Sequence, residues 1–85
     1  MSDPLRVVVG RNVRRIRVAR GYSQEGFADE VLNVNRTYAG RMERGQTNLS
    51  LDALDRLANT LGVDPRVLLD PDMEVSVEVR IIGRE

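Results

Sequence analysis

Three polar residues stand at the start of a predicted helix, and a fourth follows about one turn later. Asn35, Arg36 and Thr37 open this segment, and Arg41 comes next along it. The guanidinium group of arginine can donate two hydrogen bonds to O6 and N7 of guanine, and threonine can use its hydroxyl group or contact the methyl group of thymine. The amino end of a helix also presents free N–H groups to phosphates. These residue types favour contact with the major groove of DNA.

The elements that must position these residues form a predicted helix-turn-helix. Ser23 is a favoured N-cap for a helix over about residues 24–31. The residues 32–34 are predicted to form a tight turn, because Asn33 tolerates the left-handed conformation. Asn35 then caps a helix over about residues 36–44. Residues at the amino end of such a second helix reach base edges in the major groove.

Three further helices are predicted around this pair. The Asp3-Pro4 dipeptide is typical of a helix start, and apolar residues at helical spacing continue to about residue 20. The β-branched run 7–9 would also allow an extended first turn. An apolar stripe between Ser50 and Gly62 indicates a fourth helix, and a short fifth helix is expected over about residues 65–69. The predicted fold is therefore all-α, with five helices in one domain over residues 1–70.

The tail, residues 71–85, has a different periodicity. Apolar residues alternate with polar ones, which is typical of a strand; the apolar positions are Val75, Val77, Val79 and Ile81. The segment 74–82 could pair with the same strand of a second subunit, pair with another protein, or be disordered. The alternation argues against disorder, and pairing between two symmetric subunits closes on itself. We therefore expect a dimerisation strand.

The composition excludes several classes of site. The chain has thirteen arginines and thirteen acidic residues, and it has no cysteine, histidine or lysine. Without cysteine or histidine there is no thiol nucleophile, imidazole base, disulfide or His-ligated zinc. We therefore expect no enzyme, no metal and no cofactor. No apolar run approaches the roughly 20 residues that span a bilayer, so a soluble, cytoplasmic protein without membrane contact is expected.

The zero net charge hides an uneven distribution. Residues 5–44 contain nine arginines and four acids, a net charge of +5, and the remaining residues contain four arginines and nine acids, a net charge of −5. Such asymmetry indicates that one part of the chain meets a polyanion, although a solvated helix face would give the same pattern.

Several short segments together resemble the phage-repressor (Cro/C1, or XRE) helix-turn-helix family over about residues 9–69. The segments are Ser23-Gln24-Glu25-Gly26-Phe27-Ala28, Arg36-Thr37-Tyr38, Glu43-Arg44-Gly45, Asn48-Leu49-Ser50-Leu51 and Leu57-Ala58-Asn59-Thr60-Leu61-Gly62-Val63. The run from Arg36 to Leu51 is especially similar to controller proteins of restriction–modification systems.

The resemblance implies roles for individual residues. The residues that would read bases are Arg36, Thr37 and Arg41. Those that would hold the DNA backbone are Gln24, Asn35, Arg44, Gln46 and Asn48. Gln24 would also brace the third helix, and Asn35 could instead serve only as a cap. Arg17 and Glu43 match a pair that forms an internal salt bridge between the first and third helices.

The sequence departs from the family pattern in the spacing of the helix-turn-helix and at Gly26, which stands where a Glu or another helix former is typical. One extra residue lies between Ala28 and Tyr38, which predicts an enlarged turn at residues 32–34. Gly40 lies in the middle of the third helix, where it would allow a close approach to DNA or loosen the helix. Tyr38 and Met42, four residues apart, are predicted to belong to the core.

The predicted function is that of a sequence-specific transcriptional regulator that binds double-stranded DNA. A homodimer on a pseudo-palindromic operator is expected, because two such helices read half-sites roughly 34 Å apart. The alternative is an antitoxin-type interaction module whose C-terminal strand pairs with a partner protein. No small-molecule ligand is expected.

Overall fold

Five helices make up the part of the chain that the computed structural model describes, residues 3–75. Their bounds are α1 Leu5–Ala19, α2 Gln24–Gly26 continuing as the π-helix Phe27–Leu32, α3 Arg36–Glu43, α4 Leu51–Leu61 and α5 Pro65–Leu68. Residues 3–75 contain no strand. The predicted all-α domain of five helices is confirmed. The helix α1 includes residues 7–9, so their β-branched side chains do not hold the first turn in an extended conformation.

Side-chain caps start four of the five helices where the sequence places them. Ser23 Oγ accepts a hydrogen bond from the N–H of Gly26, and Ser50 Oγ accepts one from the N–H of Ala53. Asp64 does the same at α5, where the carboxylate accepts from the N–H of Arg66. Asn35 caps α3. Each cap satisfies N–H groups that have no partner within the helix, which fixes where the helix begins.

The core gathers apolar side chains from every helix. Its largest fully buried members are Ile16 from α1, Phe27 from α2, Leu61 from α4 and Leu68 from α5. Met42 joins this cluster from α3. Burial of these side chains packs α3 against α1, and the π-helix that continues α2 against α4. The two helices of the helix-turn-helix are therefore both part of the packed core.

Gly10 is the point of closest approach between α1 and α3. A Cβ atom built on Gly10 would lie 2.3 Å from the carbonyl oxygen of Met42 and 2.8 Å from that of Glu43. Both neighbours are backbone atoms, which cannot swing aside like a side chain. Glycine at this position therefore sets how deeply α3 sits on α1.

The extra residue of the helix-turn-helix lies in α2, and the prediction of an enlarged turn is wrong. The segment Phe27–Leu32 is a π-helix, a form whose hydrogen bonds to the carbonyl five residues back make each turn wider than that of an α-helix. The carbonyl oxygen of Ala28 accepts from the N–H of Asn33 and, at 3.1 Å, from that of Val34. Asn33 ends the helix in the left-handed conformation, with φ of 54°. The helix widens, and the turn stays short.

The packed domain extends beyond the predicted boundary at residue 70. Met73 is buried in the core, and its carbonyl oxygen accepts a hydrogen bond from Arg15 Nη1 at 3.2 Å. Val75 packs against the core and lies in no strand of this single chain. The other residues of the predicted dimerisation strand, Val77, Val79 and Ile81, lie outside the described residues.

Asn12 is a buried polar residue that ties α1 to the end of α5. Its Nδ2 donates to the carbonyl oxygens of Leu68 at 3.0 Å and of Asp70 at 2.8 Å. The last carbonyl groups of a helix have no partner within the helix, so an amide donor beside them replaces the missing bonds. This contact positions the segment that leads to Met73.

Within residues 3–75, no helix is long and apolar enough to cross a membrane.

Candidate nucleic-acid interface

The outer face of α3 carries the residues predicted to read bases. Arg36, Thr37 and Arg41 are all exposed. Asn35 precedes them as the N-cap, where Oδ1 accepts from the N–H of Thr37 at 2.8 Å and from that of Tyr38 at 3.2 Å. The cap uses the oxygen of the Asn35 amide and leaves its Nδ2 free of hydrogen bonds within the described residues. The cap role of Asn35 is therefore compatible with a contact to phosphate.

Two shallow grooves flank this face, and Thr37 lines both of them. The first, on the side of the α3–α4 loop, contains five residues with predicted DNA contacts: Asn35, Thr37, Arg41, Gln46 and Asn48. The second, on the side of α2, contains four: Gln24, Arg36, Thr37 and Arg44. The fold thus brings all eight predicted DNA-contacting residues to one continuous surface, which we call the α3 face.

Tyr38 also belongs to this surface. Its side chain is 37% exposed and lines the first groove beside Thr37 and Arg41. The prediction that Tyr38 belongs to the core is wrong, whereas Met42, one turn later, is buried as predicted. An aromatic ring with a hydroxyl group is therefore available next to two of the predicted base readers.

The inner side of α3 is anchored by a buried ion pair. Arg17 Nε donates to Glu43 Oε2 at 2.7 Å, and Arg17 Nη2 donates to Glu43 Oε1 at 3.1 Å. The side chains are 11% and 4% exposed. Arg17 Nη1 also donates to the carbonyl oxygen of Tyr22, so the guanidinium group binds α1, the α1–α2 loop and α3 together. Because the pair is buried and bidentate, it holds α1 and α3 in a fixed relative position; we call it the inner joint.

Gln24 extends the inner joint to α2. Its Nε2 donates to Glu43 Oε1 at 3.1 Å, so one carboxylate oxygen accepts from both Arg17 and Gln24. The same side chain lies in the second groove. Gln24 therefore braces α3 from within and also borders the second groove.

Gly40 makes room for this arrangement. A Cβ atom at Gly40 would lie 3.2 Å from Gln24 Oε1 and 3.2 Å from Arg44 Nη1. Both neighbours are ends of flexible side chains, so glycine lets Gln24 and Arg44 lie close over α3. Arg44 Nε in turn donates to Gln46 Oε1 at 3.3 Å, which links the two predicted backbone-holding residues.

A second arginine–carboxylate pair lies on the outer side of α3. Arg36 Nη2 donates to Asp29 Oδ2 at 2.6 Å, and Arg36 Nε donates to Asp29 Oδ1 at 3.2 Å. The side chains are 63% and 46% exposed. The hydrogen bond from the Arg36 guanidinium lowers the pKa of Asp29 below its usual value. The pair joins the π-helix of α2 to the first residue of α3.

Asp29 and Gly10 are the two positions that sequence reasoning missed. Asp29 stands in an ordinary amphipathic segment, and a break between two predicted helices separates it from Arg36, so no spacing rule within one helix pairs them. Gly10 interrupts an apolar helical stripe, which is a signal of close helix packing. Its partner, the carboxyl end of α3, was not deducible from the spacing.

The part of the chain that the structure describes contains no cluster of three acidic residues placed to hold a metal ion. The side chains that line the two grooves offer hydrogen-bond donors, guanidinium groups, one aromatic ring and the Glu25 carboxylate.

Comparison with known proteins places this surface in a family. A family model described as helix-turn-helix matches residues 13–68. The control protein C.BamHI of Bacillus amyloliquefaciens is 41% identical over 71 residues, which cover 82% of this chain and 86% of that protein. A hypothetical transcription factor of Neisseria meningitidis serogroup B is 39% identical over 73 residues, covering 86% of this chain and 68% of that protein.

Solved structures agree with the sequence relatives. The restriction–modification controller protein C.AhdI from Aeromonas hydrophila superposes with a TM-score of 0.62 at 41% identity, over 74% of this chain and 94% of its own. C.Esp1396I, in a structure bound to a 25 base pair operator site, superposes with a TM-score of 0.60 at 30% identity, over 79% and 87%. The chain belongs to the helix-turn-helix family of DNA-binding transcriptional regulators, of the phage-repressor (XRE) type.

Proposed function

We propose that this protein binds double-stranded DNA as a homodimer on a pseudo-palindromic operator and regulates transcription from it. In each subunit α3 enters the major groove, with Arg36, Thr37 and Arg41 directed at base edges. Gln24, Asn35, Arg44, Gln46 and Asn48 hold the phosphate backbone on either side. The phosphate contacts set the register of the helix, and the base contacts supply the sequence preference.

The observation that carries this proposal is the pair of grooves that meet at Thr37. Eight polar or cationic side chains from α2, α3 and the loop after α3 surround one exposed helix edge. Such a helix edge, polar at its centre and bordered by donors on both sides, matches a recognition helix in the major groove with backbone contacts beside it.

Charge on the α3 face supports the same proposal. Arg36, Arg41 and Arg44 are exposed there, and Arg41 forms no ion pair within residues 3–75. Arginine donates in a planar fork that fits guanine and phosphate with two hydrogen bonds. The homologous controller protein C.Esp1396I, bound to its operator site, is consistent with this use of the fold.

Selection of duplexes from a random DNA pool by the full chain tests the proposal. We expect the recovered sequences to share two inverted half-sites, with centres about 34 Å apart or a multiple of one helical turn. Inverted symmetry would identify a two-fold dimer on the operator. A pool that remains random after repeated rounds would refute sequence-specific binding.

For the homodimer, we propose contact through the alternating segment 74–82 and through an apolar patch near α4. Leu5 and Leu51 are exposed, Leu51 to 83%, and they line one depression together with Leu49 and Leu69. Exposed apolar side chains that cluster in this way are typical of protein–protein contact surfaces.

Sedimentation of the full chain and of a chain ending at Val75 separates the two contributions. The shorter chain still contains Met73, whose side chain belongs to the core and whose carbonyl oxygen accepts a hydrogen bond from Arg15. We expect the full chain to be dimeric. The shorter chain should form a weaker dimer, which dissociates into monomers at a higher protein concentration. An equally stable dimer without residues 76–85 would refute the paired strands, and a monomeric full chain would refute the homodimer.

A further inference from the structure

We infer that Asp29 is a positioning residue for base recognition: it holds the Arg36 guanidinium so that its free end faces a guanine, and its charge disfavours binding to other sequences. This inference rests on the proposed function, because it concerns the surface that would read the operator. Asp29 itself makes no contact with a base in this account; it acts through Arg36.

The hydrogen-bond geometry leaves the useful donors of Arg36 free. Asp29 accepts from Nε and from Nη2, which lie along one side of the guanidinium group. Arginine has five N–H donors in a fixed plane. Both N–H groups of Nη1 and the second N–H of Nη2 remain, and one of the Nη1 groups points from the end of the guanidinium group together with that of Nη2. Two hydrogen bonds from that end match O6 and N7 of guanine.

The alternative is that Asp29 withholds Arg36 from DNA. Two observations argue against it. The pair leaves the end of the fork open, and Arg36 lines the second groove beside Thr37. The pair is also exposed to solvent, where an ion pair contributes little stability and cannot hold the side chain against a better partner. An exposed pair can still restrict the rotamers of a long side chain, so less conformational entropy is lost when the base is bound.

The charge of Asp29 also disfavours binding to DNA of other sequences. Non-specific binding depends on attraction between cations and phosphates. A carboxylate beside Arg36 cancels that attraction locally, so Arg36 contributes to affinity only where a guanine accepts its hydrogen bonds. The π-helix is the element that carries Asp29 at this position, since its wide turn accommodates the extra residue of α2.

The test compares Asp29→Asn with Glu30→Gln in the full chain. Each variant removes one carboxylate from the same helix, and Glu30 is exposed and forms no ion pair within the described residues. The probes are the duplex selected from the random pool and a scrambled duplex of the same length. The readout is the ratio of the two dissociation constants, measured at one salt concentration.

We expect Asp29→Asn to reduce this ratio about three- to fivefold, since the variant keeps the base contact and removes an exposed pair that contributes up to about fivefold in a dissociation constant. Glu30→Gln should leave it within about twofold of the native ratio, because it removes a charge without releasing Arg36. In an Arg36→Ala background, Asp29→Asn should have no further effect on the ratio.

Three results would overturn the inference while leaving the proposed function intact: an unchanged or higher ratio for Asp29→Asn, equal losses for both carboxylate variants, or a full effect of Asp29→Asn without Arg36. If Asp29→Asn bound the selected duplex more tightly and the ratio did not fall, Asp29 would be a group that competes with DNA for Arg36. Failure of the native chain to select any sequence would instead overturn the proposed function, and the inference with it.

Discussion

Two arginine–carboxylate pairs hold α3 from opposite sides, and they have the same bidentate geometry. Arg17–Glu43 lies between α1 and α3, with side chains 11% and 4% exposed, whereas Arg36–Asp29 lies between α2 and α3, with side chains 63% and 46% exposed. In both, Nε and Nη2 of the arginine donate to the two carboxylate oxygens. What differs is access to water, and therefore access to any other partner.

This difference separates a structural pair from one that can take part in recognition. Charges buried together cannot be separated cheaply, because each would be left without water or a partner. Charges paired in solvent exchange partners at little cost. The inner pair therefore fixes the position of α3 on the domain, and the outer pair presents an arginine that remains available to DNA.

The largest expected effect is on the inner pair. Glu43→Gln leaves the Arg17 guanidinium buried without its counter-charge, and we expect a loss of about 3 kcal/mol in the free energy of unfolding. Urea unfolding of the full chain measures it. The matched control, Asp29→Asn on the outer pair, should leave the urea midpoint unchanged. Equal shifts for both variants would remove the distinction between the pairs.

Gly10→Ala tests whether the inner side of α3 is as closely packed as the contact distances indicate. The added methyl group would meet backbone carbonyl oxygens of α3, and we expect a loss of about 1–3 kcal/mol in the free energy of unfolding. Val18→Ala, on the exposed side of the same helix, should change it by less than about 0.5 kcal/mol. A neutral Gly10→Ala in thermal or urea unfolding would mean that α1 and α3 separate easily.

Arg36→Ala tests the outer side. We expect about a 10- to 100-fold loss of preference for the selected duplex over a scrambled one, because a bidentate base contact is removed. Arg44→Ala should instead weaken binding to both duplexes by similar factors, since it is expected to contact phosphate. Fluorescence anisotropy with both probes distinguishes them. Uniform weakening by Arg36→Ala would contradict its role as a base reader.

The smallest expected effect concerns a third, exposed pair, Asp64–Arg66, which lies away from α3. Hydrogen bonds from the Arg66 side chain and from its backbone N–H lower the pKa of Asp64 to about 2. Because the folded pKa lies below the unfolded value, the contribution to stability is present above about pH 4 and is lost as the pH falls towards 2.

Asp64→Asn keeps the N-cap and removes the titration. The thermal midpoint of this variant should therefore decline slightly less than that of the native chain between about pH 4 and pH 2. Superimposable pH profiles would show that the Arg66 contact does not contribute to folding.

The sequence alone was sufficient to predict the helix order, the helix starts and the candidate surface. The caps act locally, because each side chain lies two or three residues from the N–H that it caps. The roles of Ser23, Ser50 and Asp64 could therefore be predicted from the sequence. The residues on the α3 face could be assigned because the family motifs carry them at fixed positions within two adjacent helices. Apolar spacing also predicted that Met42 points inward, but the same spacing placed Tyr38 inside, which is wrong.

Only the tertiary structure decided how the extra residue in the helix-turn-helix is held. A single inserted residue can widen a turn or widen a helix, and both leave the same sequence pattern. The packing of Phe27 in the core and the double hydrogen bond at the Ala28 carbonyl oxygen favour the wide helix. The contact between Asp29 and Arg36 crosses the break between two helices, so the periodicity of a single helix does not predict it. Likewise, the exposure of Tyr38 depends on neighbours from other elements.

The range of the interactions explains why the sequence determined some of these features and only the tertiary structure decided the others. Capping, helix periodicity and turn chemistry act over a few residues, and the chain specifies them wherever they occur. The burial of Arg17 with Glu43, the exposure of Arg36 with Asp29 and the close approach at Gly10 depend on how separate helices meet. Whether an arginine becomes a fixed joint or remains available to DNA is a property of the folded surface around it.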